Sequence, residues 1–401
     1  MDPATLSAGI TSSTALSLAS SVRCLSSSPP SFLSGLDRLL AASDRSLPRG
    51  SVVELQGLPG AGQSSLLLHL AATSLLPLTA YVPFPDLRGG PGVAQVPVGG
   101  KESTVAFIDC SARPFPTLRL ALLVRSLLVE RVRAFRAPQG LGAPKAEDVD
   151  ALVEEAMARL HVFRPKTTLQ LAVTVQDLPR WAFERAQEGG EDEPEVGLVL
   201  VDGMSEFAWA DQWAHEQASP SSSSSSAIPP LRRLLSALSQ LRRTLSPLIF
   251  LSQWVFRPLS TLAHTSEENL PFYAHHYAPP YWPSISSPPP PPSTDADANP
   301  LEPIWVGPPG TSEKWESFPL ALHITVHPAP RPIFPRGTPL STVLSKRFGE
   351  SGPSSGGGSA GRRGGRKREE RTEGIRCVVR APGGVELGSW EVAVGEGEVE
   401  T

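Results

Sequence analysis

The sequence predicts an α/β fold in which a mostly parallel sheet is covered by helices on both faces. Two segments, TVAFID at Thr104–Asp109 and VGLVLVD at Val196–Asp202, are almost uninterrupted apolar runs of strand length. Strands of this kind are buried on both faces, which is typical of parallel sheets. They alternate with longer segments of helical periodicity, and this alternation favours an α/β fold over all-helical or all-strand ones.

The bulk composition limits the size of the core and the class of protein. The chain has 401 residues and a formal net charge of −4, which gives no global attraction to nucleic acid. Stretches rich in Ser, Pro and Gly dilute the foldable part, so we expect one compact core of roughly 200 to 250 residues. Three widely separated cysteines, Cys24, Cys110 and Cys377, fit neither a disulfide framework nor paired metal ligands, and they indicate a reducing compartment.

No segment of the sequence has the character of a membrane or secretion signal. Apolar runs stay below the roughly 20 residues needed to span a bilayer. The Ser-rich start lacks the basic region and sustained apolar core of a signal peptide. We therefore expect a soluble protein that does not associate with membranes.

Shifts in composition divide the chain into six predicted segments. They are a disordered Ser-rich leader (1–31), an α/β core (32–257), a Pro-rich disordered insertion (258–305), a continuation of the core (306–345), a basic Gly/Ser/Arg linker (346–373) and C-terminal strands (374–401). Residues 83–103, rich in Pro and Gly, are predicted to be a loop. A final hairpin is predicted over residues 375–394, with Pro382, Gly383 and Gly384 as its turn.

A glycine-rich turn joins a predicted strand at 51–56 to a predicted helix at 64–76. Its sequence, GLPGAGQSS at residues 57–65, matches the phosphate-loop pattern G-x-x-x-x-G-K-[ST] except that Gln63 stands where lysine belongs. In such loops the backbone N–H groups and the helix N-terminus surround a phosphate, and the hydroxyl at the position of Ser64 ligates Mg²⁺. Gln63 supplies no positive charge to the phosphates. A plain strand-to-helix connection is the alternative interpretation of this turn.

Asp202 ends the most apolar predicted strand and fits the acid that holds Mg²⁺ together with Ser64. An ordinary strand-ending aspartate in a turn is the alternative. A hydrolase also needs a residue that orients or deprotonates water, and no candidate for this role is evident. The sequence therefore predicts no catalytic residue.

The ordered motifs resemble those of RecA-type recombinases and their eukaryotic paralogues. The motifs are GSVVELQGLPGAGQSSLLLHLAATSLLP around the phosphate loop, TVAFID, VGLVLVDGMSEFAWAD, LIFLSQ and a terminal GGVEL strand. The resemblance implies a RecA-like P-loop core with disordered insertions and tails. It also assigns positions, namely Gly57, Gly60, Gly62, Gln63, Ser64 and Ser65 in the phosphate loop, Asp202 and Ser64 at Mg²⁺, and Gln253 as the glutamine that senses nucleotide.

The same resemblance places the family's catalytic glutamate within the segment Asp109-Cys110-Ser111, where this chain has none. Loss of both the lysine and the glutamate implies an ATP and Mg²⁺ site that binds weakly or not at all. The implied function is a nuclear subunit of a recombinase-paralogue complex, which supports the strand-exchange recombinase in homologous recombination and contacts DNA through the complex. Two alternatives stay open: a slow DNA-dependent ATPase of the same fold, and a P-loop kinase acting on a small substrate.

Weaker signals lie outside these motifs. The tract at 361–371 has six basic residues, Arg362, Arg363, Arg366, Lys367, Arg368 and Arg371, and indicates a nuclear import signal, a loose nucleic-acid contact or a solvated linker. The insertion contains Tyr273, Tyr277, Tyr281 and Trp282 but no Lys or Arg between 258 and 303, which argues against direct DNA binding there. His323 and His327 are interpreted as structural. Phe207, Trp209 and Trp213 are assigned to the core by default, with a subunit interface as the alternative.

Overall fold

The computed structural model of the chain describes residues 33–85, 91–139, 145–189, 194–217, 230–254, 320–327, 374–381, 386–394 and 399–400. The helices are α1 (Ser34–Ala42), α2 (Gln63–Leu75), α3 (Thr117–Arg136), α4 (Ala146–Ala158), α5 (Thr168–Gly189), α6 (Ala208–Gln217) and α7 (Pro230–Thr244). The strands are β1 (Val52–Gly57), β2 (Thr79–Pro85), β3 (Pro91–Pro97), β4 (Thr104–Asp109), β5 (Leu160–Phe163), β6 (Val196–Asp202), β7 (Leu248–Trp254), β8 (Leu322–His327), β9 (Gly374–Arg380), β10 (Glu386–Val394) and β11 (Val399–Glu400).

Nine strands form one sheet in the order β11-β10-β9-β8-β1-β7-β6-β4-β5. The six strands from β8 to β5 run parallel to their neighbours, and β9, β10 and β11 continue the sheet in antiparallel fashion. The α/β fold with a mostly parallel sheet covered by helices is therefore confirmed. Its strand directions agree with a RecA-like core.

Helices cover both faces of the sheet, and each face has its own apolar core. On one face α1 to α4 pack against inward-facing residues such as Leu55, Phe107 and Phe250. On the other face α5, α6 and α7 pack against Val199, Ile249 and their neighbours. Two-sided coverage explains why β4 and β6 are apolar along almost their whole length and why every residue of β1 is buried.

Residues 83–103 were predicted to be a loop, and this prediction is wrong in part. β2 and β3 pair antiparallel in a separate two-stranded sheet, with Thr79 opposite Pro97 and Pro85 opposite Pro91. Alternate residues, among them Val82 and Val96, are buried against the body of the protein. Proline lacks an N–H donor, but a two-stranded ribbon has an outward edge on each strand where no donor is needed. The prolines therefore led to a loop prediction for residues that form a β-hairpin.

Polar groups join β1, β8 and β9 on one face of the sheet. His323 Nδ1 lies 2.9 Å from Glu54 Oε2, and Arg380 Nη1 donates to Thr325 Oγ1 at 2.8 Å. All four residues are buried. Burial, followed by the charges of Arg380 and Arg376, lowers the pKa of His327 to about 4. The structural interpretation of both histidines fits their positions inside the sheet.

Several predicted segments lie outside the described residues. They are the leader at 1–31, the insertion at 258–305 with its four aromatic residues, the linker at 346–373 with the basic tract, and the hairpin turn at 382–384. In the described part of the chain, no helix combines the length and the apolar character that crossing a membrane requires.

Candidate phosphate-loop site

The glycine-rich turn connects the buried strand β1 to the N-terminus of α2. Gly60 and Gly62 have φ angles of 80° and 107°, in the region that only glycine adopts readily. The Ala61 N–H donates to the Leu58 carbonyl at 3.0 Å, which closes the turn. The loop therefore has the strand, tight turn and helix order that a phosphate site requires.

Neighbouring strands pack closely against this loop. A side chain at Gly57 would come within 2.5 Å of the Val326 carbonyl oxygen and 2.7 Å of Gln63 Nε2. A side chain at Gly62 would collide with Ile375 of β9. Both glycines are thus required by close approach, and the C-terminal strands are part of the loop's surroundings.

Gln63 is turned inward, toward the sheet. Its side chain is only 4% exposed, and Nε2 donates to the Gln253 carbonyl oxygen at 3.5 Å, a long hydrogen bond. The predicted nucleotide-sensing residue Gln253 is therefore adjacent to the loop, and it contacts Gln63 through its backbone. The amide nitrogen, which stands in place of a lysine ammonium, points into the protein's interior.

Ser64 and Asp202 come together as predicted for an Mg²⁺ site. Ser64 lies beside the Asp202 carboxylate, and Ser252 Oγ donates to Asp202 Oδ1 at 2.7 Å. Burial raises the pKa of Asp202 above its ordinary value, the neighbouring hydroxyls of Ser252 and Ser64 oppose this rise, and Asp109 adds to it. Ser252 also accepts the Gly203 N–H at 2.8 Å, which fixes the end of β6.

Ser65 has a cationic neighbour that sequence reasoning missed. Arg119, in the first turn of α3, donates from Nη2 to Ser65 Oγ at 3.1 Å. The two residues are far apart in sequence, so only the packing of α3 beside α2 brings them together. This guanidinium places a positive charge beside the phosphate loop.

The segment at which the resemblance places a catalytic glutamate, and in which this chain has none, holds a structural cluster. Asp109 Oδ1 accepts from the Ser111 N–H at 2.9 Å and from the Ser111 hydroxyl at 2.6 Å. Arg164, just after β5, places Nε 3.2 Å from Asp109 Oδ2 and also donates to the carbonyl of Arg113. Asp109 is thus held by its own turn and by an arginine, and the turn is fixed in place.

Glu206 is a second residue that the sequence did not single out. It lies in the 3₁₀ turn Met204–Phe207 after β6, and its pKa is raised by burial, then by Asp109 and Asp202. Burial and the same carboxylates raise the pKa of the Cys110 thiol. A local concentration of negative charge therefore lies at the carboxyl ends of β4 and β6.

The site fits an Mg²⁺–nucleotide ligand only in part. Ser64 and Asp202 form the hydroxyl and carboxylate pair that such an ion needs. Gln63 does not offer the ammonium that phosphates need. Within the described ranges, no group of three His, Cys, Asp or Glu side chains is arranged to hold a metal ion on its own.

The three aromatic residues after β6 do not share one environment. Phe207 is buried, but Trp209 and Trp213 of α6 are 62% and 65% exposed. The default assignment to the core is therefore confirmed for Phe207 and wrong for Trp209 and Trp213. The segment folds as a short helix that the sequence analysis did not predict, and residues four positions apart lie on one side of a helix. That helical spacing is the signal that could have indicated a surface pair.

Comparison with known proteins gives one informative similarity. The mouse protein described as DNA repair protein XRCC2 is 24% identical to this chain over 182 residues. The matched stretch is 45% of this chain and half the length of that relative. The chain matches no protein-family model.

Proposed function

We propose that the chain is a nuclear subunit of a recombinase-paralogue complex that supports homologous recombination repair of DNA double-strand breaks. In this proposal the RecA-like core serves for assembly, and its phosphate loop hydrolyses ATP slowly or not at all. The observation that carries it is the phosphate loop itself, which keeps its shape and its Ser64–Asp202 pair while Gln63 is turned into the sheet. The similarity to a DNA repair protein supports the biological context.

Loss of catalysis would follow from two changes at separate places. The phosphate loop lacks the ammonium that neutralises phosphate charge. The turn after β4 presents Asp109 bound to Ser111 and Arg164, and residues 109–116 contain no glutamate that could orient water. If a nucleotide were bound, the loop N–H groups and Ser64 would hold its phosphates. This chain's own side chains would contribute little to hydrolysis of the nucleotide.

A groove beside β5 supports a role in assembly. β5 is the last strand of the sheet, and in the described part of the chain it pairs on one side only, with β4. An open edge presents N–H and C=O groups that can pair with a strand of another chain. Next to it, the exposed side chains of Leu169 and Val173 on α5 line a groove of about 590 Å³.

The test is partner capture by the full chain co-expressed with a tagged recombinase paralogue. Leu169→Asp/Val173→Asp should reduce the co-purified fraction at least tenfold, because charges in an apolar contact cost a few kcal/mol. The matched control is Phe183→Asp/Ala186→Asp, which alters exposed residues farther along the same helix. Equal loss in both double variants, or in neither, would remove the groove as the assembly surface.

A slow DNA-dependent ATPase is the second candidate, and Arg119 is the observation that favours it. Its guanidinium lies 3.1 Å from Ser65, where it could contribute the charge that Gln63 lacks. If the complex hydrolyses ATP at this site, Arg119→Ala should lower DNA-stimulated turnover at least tenfold. Arg131→Ala, at another exposed position of α3, should leave turnover unchanged.

A further inference from the structure

We propose that the exposed Trp209–Trp213 face of α6 binds the chain's own basic tract, residues 361–371. This inference concerns a surface that the assembly role and the phosphate loop do not use. Trp209 and Trp213 are four residues apart on one helix, and each has more than half of its area exposed. Exposed tryptophan faces attract guanidinium groups through cation–π interactions.

The charge around α6 favours a cationic occupant. Residues 203–217 contain Glu206, Asp211 and Glu216 and no Lys or Arg. Asp202 lies at the same edge of the sheet, at the end of β6, whereas Asp109 at the end of β4 is already paired with Arg164. The tract has six basic residues against Glu369 and Glu370, so its sign is opposite to that of the surface. The same negative charge disfavours a nucleic-acid phosphate backbone on this face.

The tract is joined to β9, which starts at this edge of the sheet. β8 runs parallel to β1, so it ends at the edge where α6 begins, and the antiparallel strand β9 starts there. From β9 the region between β6 and β5 is four to six strands away, roughly 19–29 Å at the usual strand spacing. Arg368 and Arg362 precede Gly374 by about 6 and 12 residues, which allows reaches of roughly 20 and 40 Å. The segment between the tract and Gly374 is therefore long enough for the tract to reach α6.

The contact of Asp211 with α5 fixes the orientation of α6. Its carboxylate accepts a hydrogen bond from the Thr168 hydroxyl at the start of α5. A helix held in this way keeps its exposed face directed outward without reorganising. Binding of arginine side chains to this face would therefore cost little free energy for reordering of the helix.

The experiment is limited trypsin digestion of the full chain, because trypsin cleaves after each Arg and Lys of the tract. Trp209→Ser/Trp213→Ser should raise the cleavage rate within 361–371 by roughly five- to thirtyfold, the factor expected for two exposed cation–π contacts. Cleavage after Arg88 serves as an internal reference. Phe183→Ser, which alters another exposed aromatic residue on α5, is the matched control and should leave the tract's rate unchanged.

A reciprocal variant keeps the proposal falsifiable if the tryptophan variant fails to fold. Replacing the six basic residues of the tract with Gln should increase quenching of tryptophan fluorescence by acrylamide in the full chain. Unchanged quenching together with unchanged cleavage would overturn the proposal. Protection of the tract that needs added DNA or a partner protein would also overturn it, because the tract would then bind that molecule.

Discussion

The amide of Gln63 lies inside the phosphate loop, with Nε2 close to the Gln253 carbonyl and little of the side chain exposed. A lysine at this position would gain little from the same carbonyl, because its charge would be poorly solvated there. An ammonium would therefore be drawn outward to phosphate when nucleotide is present. The neutral amide has no comparable reason to leave the interior. The absence of one charge thus changes what the loop can bind.

The first prediction is that Gln63→Lys restores nucleotide affinity. Charge-assisted hydrogen bonds contribute about 1.5–3 kcal/mol, so binding of ATP with Mg²⁺ should tighten by roughly 10- to 100-fold. Titration calorimetry on the purified chain measures this, with Gln63→Met as a control of similar length and no charge. Equal affinity in the two variants would mean that the loop backbone does not present a phosphate site.

The second prediction concerns Arg164, which pairs with the buried carboxylate of Asp109. Arg164→Ala should lower the free energy of unfolding by about 1–3 kcal/mol, because it leaves a buried acceptor without its charged partner. Urea unfolding measures the change. Arg180→Ala removes a solvent-exposed pair with Glu184 and should leave the free energy of unfolding nearly unchanged. An equally small loss for both would show that the turn after β4 does not depend on Arg164.

At the scale of elements, the C-terminal strands complete the surroundings of the phosphate loop. β8 lies beside β1, and β9 follows it with Ile375 against Gly62. His327, at the end of β8, is buried near Arg376 and Arg380, which disfavour its charged form. Burial and these two arginines therefore favour a neutral His327 imidazole at the junction of β8 and β9.

The third prediction is a pH dependence of stability from His327. Its folded pKa of about 4 is below the unfolded value of about 6.5, so between these values the unfolded state binds more protons. Stability should therefore fall as pH drops from about 6.5 to 4, by up to about 3 kcal/mol from this residue. His327→Gln should show a smaller decrease in thermal unfolding measurements. The same decrease in both proteins would assign the acid sensitivity to other groups.

The sequence was sufficient for elements that are continuous and apolar, and insufficient for contacts between distant residues. β4 and β6 were predicted with the bounds that they have in the structure, because buried parallel strands need apolar residues along their whole length. The β2–β3 hairpin was missed because prolines on outward edges resemble loop sequence. Asp202 and Ser64 could be paired by motif. Arg119 and Arg164 could not, because nothing local marks which arginine will face a given loop.

At the scale of the whole molecule, two separate candidate surfaces lie at different borders of one sheet. The phosphate loop, Asp202 and α6 lie at the carboxyl edge of the parallel strands, while β5 and the start of α5 form the groove at the side. The two surfaces depend on different residues. The proposed nucleotide binding and the proposed assembly can therefore be disabled one at a time, which distinguishes an assembly subunit from a slow ATPase.

The most direct test measures homologous recombination repair of a defined double-strand break in cells that lack the chain and receive variants of it. Ser64→Ala/Asp202→Asn, which removes both proposed Mg²⁺ ligands, should restore repair to within about twofold of the unaltered chain at equal protein level. Leu169→Asp/Val173→Asp should restore little. The opposite pattern, with repair lost on removal of the Mg²⁺ ligands and kept on alteration of the groove, would contradict a role in assembly without catalysis.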